Sequence, residues 1–251
     1  MKEDEVKQKE LFDRIGDLYH LHYGDKYSLF YRDHFIHRYM FRGLTLKGMN
    51  VLDAACGGGE STRYLLSRGA SVTGIDISEN AILAFQKNFP KCKGIQGSVF
   101  DMPLPDNSFD CVSIFGGLHH MHPRVQEAVD EAYRVLRPGG YFCFFEPHAG
   151  SIPDLFRKLW YKADNKYFER NEQSVDVTKL FEANKSRFES CVTHYGGNIA
   201  FLLVYNSMIF RVPHFLKTIY SYPLMALEWL THPIENKYFS CIAECQWKKR
   251  I

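Results

Sequence analysis

A chain of 251 residues can bury a full hydrophobic core, which suits one large domain or one domain with a grafted cap. Its 45% hydrophobic and 24% charged residues are those of a globular protein and exclude a disordered or fibrous chain. A formal net charge of +2, with no long Lys/Arg run, argues against a nucleic acid partner.

The opening MKEDEVKQKE lacks the apolar run of a secretory signal. Residues 5–42 read as polar-to-amphipathic helices interrupted near Gly24. Tyr19, Tyr23 and Tyr27 recur every four residues and would line one face of a continuous helix. Asn50 to Ala54 is a short apolar strand that runs into Cys56-Gly57-Gly58-Gly59, and Glu60 to Ser67 is the next helix. SVTGIDIS reads as a second strand and Asn80 to Asn88 as a second helix. KGIQGSV is a weaker third strand and FDCVSIFG a fourth. Val125 to Leu136 follows as a helix with apolar residues at three- and four-residue steps. RPGG punctuates its end, with Gly139 and Gly140 as the stop, and YFCFFEP is the fifth strand. RFESCVTHY and YFSCIAECQWKK are two more strands, separated by a hydrophobic helical insertion over 198–232 that contains Pro213 and Pro223. Short apolar strands alternating with helices predict a mainly parallel sheet covered on both faces.

Seven cysteines, an odd count without a dense framework, read as reduced thiols in a cytoplasmic setting. Cys241 and Cys245 are expected on one face of a strand, as buried core rather than metal ligands. The most apolar stretch, Ile199 to Phe210, is too short to span a membrane.

In VLDAACGGGEST a strand delivers the chain into a glycine-rich turn directly before a helix. Glycine allows close approach of a ligand to the backbone, and the helix N-terminus offers N–H donors. Asp76, at the end of the second strand, is placed to accept both hydroxyls of a ribose. A dinucleotide, an adenosyl cofactor and a bare turn all fit that much. A strict G-x-G-x-x-G is absent, however, and Asp53 and Glu60 would oppose a diphosphate. A sulfonium and an ammonium would welcome both charges.

With GIDIS, GSVFDMPLPDNSFD and YRVLRPGG following in order, residues 48–147 resemble the class I S-adenosylmethionine-dependent methyltransferases. The small-molecule branch that includes the ubiquinone and menaquinone methyltransferases is the most similar. The resemblance implies an α/β fold: a Rossmann-like three-layer sandwich with a mostly parallel seven-stranded sheet, an antiparallel last strand and helical cap elements. It implies an N-terminal helical lid at 1–45, a cofactor-binding core at 46–150 and a substrate-cap segment at 151–187. The last two strands would occupy 188–251, with the insertion at 198–232. Asp53, Ala55, Gly57 and Gly59 would hold the methionine part of S-adenosyl-L-methionine, and Asp76 its ribose. Ile77 would pack on adenine. Ser98 stands where many relatives carry an aspartate toward the adenine amine, so it lacks that charge, and Val99 would contribute its backbone N–H. Phe115 would lie near the methyl end, with Tyr19 and Tyr27 in the lid. The product would be S-adenosyl-L-homocysteine.

A sulfonium methyl is already electrophilic, so alignment of donor and acceptor is the main task. For a hydroxyl acceptor a base helps, and His119 and His120 in FGGLHHMH are the candidates. One of them could equally anchor a loop. Glu146, closing the fifth strand, would bind a hydroxyl, steady a histidine or satisfy backbone N–H groups. His122 completes a histidine cluster, but no carboxylate spacing supports a metal site.

Trp160, Tyr161, Tyr167 and Phe168, then Tyr205, Phe210, Phe215 and Tyr220, supply aromatic walls for a hydrophobic or aromatic small-molecule acceptor. Phe215, Leu216, Ile219 and Tyr220 share an apolar helical face, while Arg211, His214 and Lys217 recur at three-residue spacing. A buried cap is the favoured reading of that insertion. Peripheral membrane contact and a homo-oligomer interface stay open beside it. The expected reaction is methyl transfer to a hydroxyl oxygen. Nitrogen and carbon methylation of a quinone or lipid-like acceptor, a non-methyl reaction with the same cofactor, and a non-catalytic cofactor-binding subunit are the alternatives.

Overall fold

The computed structural model describes residues 3–163 and 172–251. Tyr167 and Phe168 lie outside the described residues, as does the side chain of Tyr161.

The chain opens with helices α1 (Glu3–Tyr23) and α2 (Lys26–Tyr31), a π-helical turn at Arg32–His37 and the short α3 (Arg38–Met40). The core alternates β1 (Asn50–Ala54), α4 (Glu60–Ser67), β2 (Ser71–Asp76), α5 (Glu79–Asn88), β3 (Lys93–Gln96), β4 (Phe109–Phe115), α6 (Val125–Val135) and β5 (Leu136–Pro147). Helices α7 (Ile152–Ala163) and α8 (Val177–Asn184), β6 (Phe188–Gly196), α9 (Lys217–Thr231) and β7 (Ile242–Lys249) complete it.

The seven strands are ordered β3-β2-β1-β4-β5-β7-β6. Strands β1 to β5 pair in parallel, and β7 runs antiparallel to both β5 and β6. This is the sheet expected from the sequence. The order reverses between β1 and β4, so a crevice opens beyond their carboxyl ends, where such sheets bind ligands.

Local chemistry explains the elements. In α6 the buried positions are Val125, Ala128, Val129, Ala132 and Val135, one stripe at helical period against the sheet. Ser78 caps α5 by accepting the Ala81 N–H at 3.1 Å. Two apolar clusters cover the sheet, one around Phe142, Phe144 and Trp247, the other around Tyr31, Phe145 and Tyr205.

Three expectations are corrected. RPGG does not stop the helix after Leu136: α6 ends at Val135, and Leu136 already pairs with Phe109 at the start of β5. There Gly139 takes φ 77°, and a Cβ on Gly140 would lie 2.9 Å from the Arg137 carbonyl, so the pair builds an irregularity within the strand. Cys241 and Cys245 do not share a face, because Cys241 precedes β7 and packs with the Tyr31 cluster while Cys245 joins Trp247. Nor does Lys217 join a basic outer face. It is fully buried, with its Nζ donating to Asp25 Oδ2 and, at 2.8 Å, to Ser28 Oγ.

Candidate active site

A cavity of about 720 Å³ lies beyond the carboxyl ends of β1, β2 and β4. Of the residues singled out in the sequence, Asp53, Ala55, Gly57, Asp76, Ile77, Ser98, Val99, Phe115, Tyr19 and His120 line it. Helix α1 forms its roof, contributing Glu5, Gln8, Phe12 and Asp13.

The glycine turn is held by the second-strand acid. Asp76 Oδ2 accepts the Gly57 N–H at 2.9 Å and Oδ1 accepts the Ser78 N–H at 2.9 Å. Burial raises the Asp76 pKa while these two donors oppose the shift. Asp53 is 1% exposed and accepts the Thr62 hydroxyl at 2.6 Å; burial pushes it up to about 7. Ala55 at φ 54° and Gly57 at φ 53° carry the turn. Gly59 lines neither this cavity nor the one below. At φ 93°, a Cβ there would lie 2.3 Å from the Phe89 ring, so its glycine serves the packing of α4 on α5.

Tyr27 is also placed elsewhere. Asp25 ends the run of Tyr19 and Tyr23 by capping a new helix, its Oδ1 accepting the Tyr27 and Ser28 N–H groups. Tyr19 stacks on Tyr23 with centroids 4.4 Å apart, whereas Tyr27 packs edge-on against Tyr222. The four-residue spacing needed one continuous helix, and the cap breaks it.

Several lining groups had no signal in the sequence. At the end of the cavity beside Val99, Ser98 Oγ donates to Glu5, a carboxylate 6% exposed on α1. Arg124 lies 3.6 Å from Glu5 and stacks its guanidinium 3.7 Å over the Phe100 ring. Near the glycine turn, Arg32 is 2% exposed, sits 4.2 Å over the Phe115 ring and donates to the Tyr205 hydroxyl at 3.0 Å. Its Nε is buried with no partner among the described residues. Contacts such as Glu5–Ser98 join positions 93 residues apart, which no local pattern encodes.

A second cavity of about 460 Å³ adjoins the first, and Phe12, Tyr19, Phe115, Gly116 and His120 line both. Its other walls are mostly apolar, including Phe145, Trp160, Tyr205 and Phe210. Of the remaining aromatics proposed for this wall, Phe215 is 69% exposed and Tyr220 donates to the Leu203 carbonyl.

His119 lines this second cavity and is anchored from behind. Glu146, fully buried at the end of β5, accepts the Gly117, Leu118 and His119 N–H groups at 3.0, 2.7 and 3.1 Å. Its Oε2 also lies 2.8 Å from His119 Nδ1. Glu146 therefore lines neither cavity and steadies a histidine and the loop after β4. Burial pushes Glu146 up to about 7 and, together with the neighbouring His120, holds His119 well below the usual imidazole range. With Nδ1 turned to the carboxylate, Nε2 is the ring nitrogen of His119 left to meet a ligand.

His120 differs in sign. Burial opposes its charge, but Glu172 at 3.2 Å outweighs that and raises its pKa. Gln8 Nε2 of the roof helix also meets His120 Nδ1 at 3.2 Å. Ligand-type atoms of His119, His120 and Glu172 lie within 4.8 Å of one another, as do those of His194, His232 and Glu235. Within them His120 pairs with Glu172 and His232 with Glu235, and His122 belongs to neither group.

Residues 52–144 match the methyltransferase domain family. A fatty-acid O-methyltransferase of Mycolicibacterium smegmatis is 32% identical over 152 residues, covering 59% of this chain and 55% of that protein. A demethylmenaquinone methyltransferase of Listeria welshimeri is 33% identical over 130 residues, covering 49% and 52%. The chain spans about half the length of the curated relatives it matches. An S-adenosylmethionine-dependent methyltransferase of Thermotoga maritima superposes with a TM-score of 0.63 at 16% identity, covering 96% of this chain and 99% of that one, and so shares the fold.

Proposed function

We propose, for a chain whose core belongs to the class I S-adenosylmethionine-dependent methyltransferases, that it methylates a partly hydrophobic small molecule at a hydroxyl oxygen. The observation that carries this reading is the meeting of two cavities at Phe115, Gly116 and His120, with His119 lining the second and its Nδ1 held by Glu146.

The first cavity fits the cofactor. Its wall holds Asp53, Glu60 and Asp76, an acidic set suited to a sulfonium and an ammonium. The unpartnered Arg32 Nε suits the amino-acid carboxylate. Asp76 retains lone pairs for ribose hydroxyls beyond its two backbone donors, and Ile77 and Val99 offer apolar contact to a base. When bound, S-adenosyl-L-methionine supplies an electrophilic methyl group and leaves as S-adenosyl-L-homocysteine.

The protein's own work is then alignment and proton removal. The apolar second cavity orients the acceptor with its hydroxyl toward the shared wall. His119 Nε2 takes the hydroxyl proton as the oxygen attacks, and Glu146 receives the Nδ1–H side of the imidazolium that forms. Helix α1 and Tyr19 act as the lid, and α7 with the 198–232 insertion forms the acceptor cap. Seven cysteines without a disulfide among them suit a reducing, cytoplasmic setting.

At the base end, Glu5 supplies from the lid a charge that Ser98 lacks. Glu5→Ala is expected to weaken S-adenosyl-L-methionine binding about tenfold, the worth of one hydrogen bond to a charged acceptor, and Ser98→Ala less. Titration calorimetry checks this; unchanged affinity in both variants would remove Glu5 from the site.

The reaction itself is tested by incubating the chain with radiolabelled methyl donor and a panel of apolar alcohols, phenols, amines and carboxylic acids. Label in an ether is the expected product. Label only in an amine or at carbon would replace the oxygen assignment. Tight cofactor binding with no labelled product would favour a non-catalytic subunit.

A further inference from the structure

A cluster of polar side chains lies where the chain returns from the 198–232 insertion to the sheet, and none of them lines either cavity. His194 and Glu244 face each other across β6 and β7, with β6 at the sheet edge. His232 and Glu235 belong to the turn that follows α9, Tyr39 comes from α3, and Asn198 follows β6. One ligand-type atom each from His194, His232 and Glu235 lies within 4.8 Å of the others.

The polar atoms of these residues are already sorted. His194 Nδ1 meets Glu244 Oε2 at 3.0 Å, which leaves Nε2 toward Glu235 Oε2 at 3.8 Å. His232 Nε2 meets the Tyr39 hydroxyl at 3.0 Å, and its Nδ1 contacts the same Glu235 oxygen. The other oxygen, Glu235 Oε1, accepts from Asn198 Nδ2 at 3.0 Å. Each of the three groups is thus gripped through one atom and offers another to a shared point. Metal-binding histidines and carboxylates are held in this way, the far atom hydrogen-bonded so that the tautomer is fixed and the near atom aimed. Tyr39 also stacks on His194 with ring centroids 3.8 Å apart, which holds that imidazole in its plane.

Charge is a second, independent pointer. Glu244 is fully buried, and its Oε1 has no hydrogen-bond partner among the described residues. A Cβ on Gly196 would lie 3.2 Å from His194 Cε1 and 3.7 Å from that oxygen, so the orphan atom sits beside the imidazole. With Nδ1–H donated to Glu244, His194 Nε2 carries a lone pair and faces a carboxylate oxygen that cannot donate. At 3.8 Å the two acceptors are too far apart for a proton to bridge them. A cation bridges that gap: ligands of a tetrahedral zinc ion stand roughly 3.3 Å apart. It also supplies the counter-charge that buried carboxylates need.

We propose that His194 Nε2, His232 Nδ1 and Glu235 Oε2 bind a divalent transition-metal ion of the zinc type, with Glu244, Tyr39 and Asn198 orienting them. Two imidazoles and a carboxylate suit such an ion, whereas magnesium and calcium take oxygen ligands. His232 has 38% of its side chain exposed, which opens an entry path and leaves room for water as a further ligand. Binding displaces the proton between His232 and Glu235, since ligands coordinate deprotonated. The role is structural: the ion ties the end of the insertion, which walls part of the second cavity, to the edge strand β6.

The test is titration calorimetry of the chelator-stripped full chain with zinc chloride against magnesium chloride. One zinc per chain is expected, bound at least about tenfold tighter than magnesium. His232→Ala should weaken zinc binding about a hundredfold, and Glu244→Gln, which keeps the shape, about tenfold. Zinc should raise the melting temperature of the wild type but not of His232→Ala. His120→Ala, in the other histidine cluster, should bind zinc as the wild type does. Absence of zinc binding to wild-type protein that is folded by circular dichroism would overturn the proposal. So would zinc binding that survives His232→Ala, or that is lost in His120→Ala instead.

Discussion

His119→Ala is expected to lower kcat by about 10²- to 10⁴-fold, the span usual for losing a positioned base, and to leave cofactor affinity unchanged. The separation follows from placement: His119 lines the second cavity and not the first. Its proton state is tied to Glu146. When that acid is protonated, its O–H faces His119 Nδ1 and the ring proton moves to Nε2, which can then only donate. Loss of the shared proton gives a carboxylate, an Nδ1–H and an Nε2 lone pair, the form that accepts. Burial pushes Glu146 up to about 7, so kcat/KM should rise with pH through about 7 and level off above it. The midpoint belongs to the pair. A pH–rate profile of wild type against His119→Ala checks both claims, and unchanged turnover in the variant would remove the histidine from the reaction. His120→Ala should cost less in kcat, because its Nδ1 faces Glu172.

Asp76→Ala should reduce S-adenosyl-L-methionine affinity by about a hundredfold or more, since two hydrogen bonds to a charged acceptor are worth about 1.5–3 kcal/mol each. It also frees the Gly57 and Ser78 N–H groups that now converge on the carboxylate. Asp76→Asn keeps the shape and should fall between. Calorimetry on ligand-stripped protein measures all three, and wild-type affinity retained in the alanine variant would sink the cofactor assignment. A pH series adds a second signature. Burial pushes Asp53 up to about 7, and its side chain favours a cation only when ionised. Affinity for the sulfonium cofactor should therefore weaken as pH falls below 7, and more steeply than affinity for the uncharged-sulfur product.

What the sequence disclosed was what the chain encodes locally. Asn50–Ala54, the glycine turn and Glu60–Ser67 were legible because a strand, a tight turn and a helix start each leave their mark within a few residues. The position of Asp76 was legible because it closes a strand, and in such sheets strand ends open onto the crevice it lines. Tyr27 was misplaced because periodicity assumes continuity, and the Asp25 cap interrupts it. Lys217 read as a surface cation because nothing near it announces Asp25, 192 positions away. Glu5, Gln8 and Arg32 escaped for the same reason: a roof helix and a buried guanidinium are defined by tertiary contacts alone. Helix α9 was half visible, its apolar face in the pattern and the burial of Lys217 and Glu228 not.

Strand β7 sits between β5 and β6, yet it is the last of the three to be made. During synthesis the Tyr141–Pro147 edge of β5 therefore emerges with no strand on its outer side until Ile242–Lys249 leaves the ribosome. Trp247, which packs on Phe142, Phe144 and Phe188, arrives at the same moment. Across that interval the nascent protein carries an open sheet edge and uncovered aromatic rings, the features that recruit chaperones or seed aggregation. Expression yield should accordingly depend more on the speed of translating 188–249 than on any residue of the cavities.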